Sequence, residues 1–251
     1  MNKNLPLRLK KEPLLEAVWE IRFTLKYPFA DDLLPGLLAK EFSGRYKNIV
    51  KLPTADIPDP IAENVPNLRY LPKIRLEADN QAIQIGKRSI SLSCRRPYSG
   101  WKIFSKDIFN LANAVQNTDL INKIERYSLK YIDLIEISPA NLECLNINLN
   151  IKKIKITAQP MQLRTEIIED DISHIIGITS PAEVINHGES EKRRGVLIDI
   201  DTIKQLNEKS SWDKLKIEIN LNKLHSASKT VFFSLLTQET LNKLEPEFKG
   251  K

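Results

Sequence analysis

The stretch AVWEIRF at 17–23 constrains the fold most. Ala17, Trp19, Ile21 and Phe23 alternate with Val18, Glu20 and Arg22, a period of two that only a half-buried strand satisfies, with one face in a core. The same signature recurs in KIRLEA and QAIQI, joined by a hairpin turn at Asp79-Asn80. It continues in SISLSC after the bend Gly86-Lys87-Arg88, and in YSLKYIDLIE, where apolar residues on both faces predict a bulge or cover on two sides. After residue 144 come LNINLNI, QLRTEII, SHIIGIT, GVLIDIDTI and KLKIEINL, each read as a strand.

Three stretches carry helical spacing instead. FADDLLPGLLAKEF predicts a short helix with Asp31 or Asp32 as N-cap, Pro35 in its first turn and Leu34, Leu37, Leu38 and Phe42 on one face. Trp101, Phe104, Ile108, Leu111, Ala112 and Val115 form one stripe, and Leu224, Ser228, Val231 or Phe232, and Leu235 another. The proline-punctuated 50–72 reads as a long surface loop. The whole is expected to be α+β: two intertwined, mostly antiparallel sheet-plus-helix halves, 1–137 and 138–251, or one continuous domain. SLSCRRPYSGWKIFSKDIF and EINLNKLHSASKTVFFSLL share a strand, loop, helix shape. Internal duplication and convergent packing both account for it. Trp19, Trp101, Phe104 and Phe232 are the expected aromatic core.

With 251 residues, 41% hydrophobic and 28% charged, the chain can bury a core without staples. No apolar run is long enough for a signal peptide or a membrane span. The two cysteines, Cys94 and Cys144, lack metal-ligand spacing and read as buried small residues in a reducing compartment, so the cytoplasm is the expected location. The net charge of +6 lies wholly in the first half: residues 1–125 hold 20 Lys and Arg against 14 Asp and Glu, and 126–251 hold 18 of each. Arg75, Lys87, Arg88, Arg95, Arg96 and Lys102 are therefore the candidate contacts for an anionic partner.

CRRPYSGWKIF could cradle a phosphate, since Arg95 and Arg96 precede a helix N-terminus. It lacks the glycine spacing of a phosphate loop, and the structural account is fuller: Pro97 stiffens the turn, Ser99 caps, Gly100 bends the chain and Trp101 opens the helix core. This stretch, together with EPLLEAVWEIRF, YSLKYIDLIE, VLIDID and LHSASKTVFFSLLTQETL, resembles a sporadically distributed family of uncharacterised bacterial and archaeal proteins of similar length. The shared pattern covers nearly the whole chain. Lys130 and Asp133 stand where that family tends to have arginine and asparagine. The resemblance implies a single architecture and no particular reaction, and the patchy distribution implies a role accessory to mobile or defence-linked systems.

Enzyme-like features are few. Asp199 and Asp201 lie two apart on a strand, so both carboxylates leave one face, a spacing that can chelate a divalent cation; pairing with lysines accounts for them equally. The acids of IIEDDISH read as a hairpin tip, His225 as a capping or packing residue and His187 as part of an exposed turn. No cofactor motif occurs. Two hypotheses follow. The preferred one is a non-enzymatic binding or assembly protein that meets a protein or nucleic acid through its basic first half. The alternative is a metal-dependent enzyme acting on nucleotides or phosphodiesters with Asp199 and Asp201.

Overall fold

The structure, a computed structural model, describes residues 5–66, 68–185, 192–206 and 214–248, with 214–216 described by backbone alone. In chain order the elements are β1 (Arg8–Leu9), β2 (Leu14–Leu25), α1 (Ala30–Glu41), β3 (Asn48–Lys51), a 3-10 turn (Pro53–Asp56), α2 (Asp59–Asn64), β4 (Pro72–Glu77), β5 (Gln81–Gly86), β6 (Ser89–Arg95), α3 (Trp101–Asn117) and β7 (Ile121–Glu136). A second 3-10 turn (Leu142–Cys144), β8 (Leu149–Ile151), β9 (Ile154–Ile156), β10 (Met161–Glu169), β11 (Ile172–Ile185), β12 (Lys192–Gln205), α4 (Lys214–Leu235), α5 (Gln238–Lys243) and β13 (Pro246–Glu247) follow. The fold is α+β with antiparallel strand pairs. The expected halves were consecutive; the compact units are each assembled from separated stretches. The first unit is Glu16–Leu129 with Ile203–Leu224, and the second is the described part of Met1–Leu15, Lys130–Thr202 and His225–Lys251.

In the first unit the strand order is β7, β2, β6, β5, β4, β3. Register places Trp19 beside Leu92, Leu92 beside Ile83 and Ile83 beside Leu76, so alternation on four strands builds one apolar row across the sheet. A second row runs Ile21, Ile90, Ile85, Ile74. Helix α1 packs on β5 and α3 on β6. The α3 residues Phe104, Ile108, Leu111, Ala112 and Val115, spaced at three or four, are all buried, as that spacing requires of a core-facing stripe.

Local chemistry corrects several expectations here. Helix α1 is not capped by Asp31 or Asp32: Phe29, in the left-handed region at φ 63°, precedes it, the acids fall inside its first turn and Pro35 lies one turn further in. Gly100, at φ 85°, and not Ser99, is the N-cap of α3. The expected loop 50–72 contains a 3-10 turn and α2, because Pro53 and Pro60 occupy helix-opening positions where a missing N–H costs nothing. Trp19 and Phe104 are fully buried, whereas Trp101 and Phe232 are half-buried, each standing at the edge of its helix's apolar stripe.

In the second unit the order is β10, β11, β12, β7. The hairpin of β10 and β11 turns at Asp170, whose φ of 54° fits a tight reversal, and Glu169, Asp170 and Asp171 form its tip. Ile135, Ile176, Ile178, Val196, Ile198 and Ile200 form the core, with Leu142, Leu145 and Leu236. Gly195 is obligatory: a Cβ there would lie 2.1 Å from the Ile135 carbonyl oxygen. The expected strand 145–151 is realised only at Leu149–Ile151, since the 3-10 turn precedes it and Leu145 bridges to Leu236 instead. KLKIEINL, whose residues belong to the first unit, is helix, not strand. Its apolar residues also fit a period of 3.6: Ile217, Leu221, Leu224 and Ser228 are buried while Ile219 is 58% exposed. The strand, loop, helix shape that suggested duplication is thus absent from its second copy.

Candidate functional site

Gly86 ends β5 where the backbone leaves no room for a side chain; a Cβ would come 2.6 Å from the Leu71 carbonyl oxygen. The bend that follows projects Lys87 and Arg88 from one end of the β5–β6 pair. Arg95 ends β6 seven residues later, roughly 23 Å along an extended chain, and Arg96 and Lys102, both exposed, lie beyond it. The six predicted cations therefore fall into separate places. Arg75, on the outward face of β4, pairs with Glu77 at 2.7 Å, and Arg95 approaches Glu16 at 3.9 Å. The structure brings together Lys87 and Arg88.

Beside them opens a cleft of about 540 Å³ whose wall includes Lys26, Tyr27, Phe29, Asp31, Asp59 and Arg88. Tyr27 is 56% and Phe29 76% exposed. Phe29 is a bulky residue in the left-handed region, which costs energy and is seldom kept without a use. The apolar surface continues along α1: Leu33 and Leu37, four and eight residues after Phe29, are 59% and 45% exposed. This stripe is offset by one position from the buried Ala30, Leu34 and Leu38, a rotation of about 100° around the helix axis. Sequence reasoning placed Leu37 on the core face. The missed signal is the second i, i+4, i+8 series that includes Phe29.

Carboxylates neutralise part of this basic end. Asp59 accepts from Lys73 at 2.7 Å and Lys87 at 3.0 Å, and Glu63 pairs with Lys87 at 2.7 Å. The hydrogen bonds from Lys73 and Lys87 hold the Asp59 carboxyl below its usual range, and Lys87 does the same to Glu63. Lys87 is itself raised, by Glu63 first.

The second unit holds the other predicted groups. Asp199, on β12, receives the Lys130 ammonium at 2.7 Å, the lysine pairing that was one reading of this acid. Asp201 is half-buried. Among the described residues no three His, Cys, Asp or Glu side chains converge as a metal site would require. His225, on α4, sits 3.0 Å (Nδ1) from the Tyr131 hydroxyl, and burial pushes its pKa down to about 4. His174 is 1% exposed, its Nδ1 3.0 Å from Thr202 Oγ1. Asp133, two residues after Tyr131, is 5% exposed, and burial pushes its carboxyl up to about 8. Cys94 and Cys144 are buried free thiols, as expected. His187 lies outside the described residues.

No helix among the described residues is long and apolar enough to cross a membrane. Neither known protein families nor curated proteins yield a match to this chain.

Proposed function

We propose that this chain is a non-enzymatic binding or assembly protein that takes a protein partner on its first unit, along the outward stripe of α1 and the adjoining cleft. One observation carries this: Leu33 and Leu37 stand in solvent on one face of α1, and Phe29, the residue that precedes the helix, stands exposed with Tyr27 at the wall of the cleft among charged groups. A contiguous apolar surface rimmed by charge is what a protein interface requires before its partner arrives. The cleft's Lys26, Lys87 and Arg88 are matched by Asp31, Asp32 and Asp59, so a phosphate backbone would meet as many acids as bases there. That balance favours a protein over nucleic acid, despite the basic surplus of the first half. The family resemblance supports an accessory role in a mobile or defence-linked system, and two buried free thiols fit a reducing cytoplasm. The metal-enzyme reading has less support, because Lys130 already holds the Asp199 carboxylate.

The test compares proteins that co-purify with the full chain and with its Phe29→Asp/Leu33→Asp double variant. A partner retained by the wild type and lost from the variant supports the reading; identical partner sets contradict it. Titration with a short DNA or RNA duplex at low and high salt decides the competing occupant. Tight binding that weakens steeply with salt would transfer the site to nucleic acid.

A further inference from the structure

The segment 52–65 crosses the basic end of the first unit with little apolar anchorage. Neither its 3-10 turn nor α2 has a buried residue, and Ile61 and Val65 are 52% and 40% exposed. Polar contacts hold it: Asp59 to Lys73 and Lys87, Glu63 to Lys87, Lys51 to Asp56 at 2.5 Å, Thr54 to the Pro72 carbonyl, and two Arg69 N–H groups to the Glu63 carbonyl at 2.8 and 3.3 Å. Around the two α2 carboxylates stand four cations, Arg69, Lys73, Lys87 and Arg88. With the segment in place, four acids (Asp31, Asp32, Asp59 and Glu63) nearly match the five cations of this end (Lys26, Arg69, Lys73, Lys87 and Arg88); with Asp59 and Glu63 displaced, the balance becomes plainly positive.

We propose that Lys73, Lys87 and Arg88 form a seat for an acidic segment of the partner protein, and that α2 is an internal stand-in which that segment displaces. The inference rests on the partner reading above. The seat adjoins the same cleft, since Asp59, Lys87 and Arg88 line its wall too. The chemistry of the incoming segment is read from the one already seated: two carboxylates four residues apart, as Asp59 and Glu63 are, with apolar side chains between and after them, as Ile61 and Val65 are. Ion pairs this exposed are individually weak and screened by salt, so the stand-in is held loosely enough to leave. A stronger acidic segment that also engages the α1 stripe wins by adding apolar contacts that α2 lacks.

The experiment uses the full chain carrying Asp59→Asn and Glu63→Gln, and labelled short poly-L-glutamate as probe, read by anisotropy at low salt. Removing the internal competitor raises affinity for the probe by about tenfold over wild type, the factor by which a mostly closed seat lowers apparent affinity. Adding Lys87→Ala returns it to the wild-type value. Equal affinity of wild type and variant overturns the proposal, as does a gain that survives Lys87→Ala. A gain for a short DNA duplex but not for poly-L-glutamate overturns the assigned partner class. Should the variant fail to fold, hydrogen exchange on the wild type decides: amides of residues 61–65 lose protection as salt rises while β5 and β6 keep theirs, and no salt effect overturns the proposal. Partner loss in the Phe29→Asp/Leu33→Asp variant with no gain here sinks the displacement and leaves the partner reading standing.

Discussion

Phe29 adopts a backbone conformation that suits glycine or asparagine, and at 76% exposure its ring gains little burial among the described residues. A buried aromatic offers the contrast. Phe104 is fully enclosed, so Phe104→Ala should cost roughly 3–5 kcal/mol, whereas the half-buried Trp101 should cost about half as much. Urea unfolding of both variants checks the order, and a larger loss at Trp101 would contradict the packing described. Buried titratable groups make a second claim at this scale. Asp133 keeps its proton up to about pH 8 in the folded state, while an exposed aspartate loses it near pH 4, so its contribution to stability falls as pH rises through that window. His225 acts oppositely: its folded pKa of about 4 lies below the ordinary 6.5, so stability is full above 6.5 and falls as pH drops toward 4. The two effects oppose each other below pH 6.5, and above it only Asp133 remains. From pH 6.5 to 8 the wild type should lose roughly 2 kcal/mol, at about 1.36 kcal/mol per unit. Asp133→Asn should be flat over that range, and an unchanged slope in the variant would refute the assignment.

Elements divide by how many residues vote for them. Strands such as β2, β6 and β12 were legible because three or more alternating apolar residues agree (Ala17, Trp19, Ile21 and Phe23; Ile90, Leu92 and Cys94; Val196, Ile198 and Ile200), and β5, with Ile83 and Ile85 alone, because its partner in the sheet wants the same alternation. Helix α3 was legible for the matching reason at period 3.6. KLKIEINL misled because Ile217 and Leu221 belong to both periods, and among the side chains described Ile219 is the one that distinguishes them. Ile219→Lys should therefore change stability by no more than about 0.5 kcal/mol, while Leu221→Lys, at 2% exposure, should cost several times that. Comparable losses at both positions would restore the strand. The candidate site was only partly legible. Charge counting reached Lys87 and Arg88 but not the carboxylates of α2 that face them, because those acids lie some 25 residues earlier and meet the lysines only once β4 and β5 pair. Nor could composition show that Leu37 faces outward, since helix phase depends on where Phe29 starts the turn.

For the whole molecule, the six candidate cations of the basic first 125 residues do not gather into one surface. They are divided between the two ends of β6 and the outward face of β4, and at the Lys87 end the α2 carboxylates offset them locally. What remains distinctive is apolar: the α1 stripe and the two aromatics at the cleft. The claim that this stripe is an interface is tested most directly by photocrosslinking in cells, with benzoylphenylalanine placed at Phe29, at Leu33 and, as a control, at Lys153 in the full chain. The account predicts a discrete protein adduct from positions 29 and 33 and none from 153. No adduct from either α1 position, or the same adducts from all three, would contradict it.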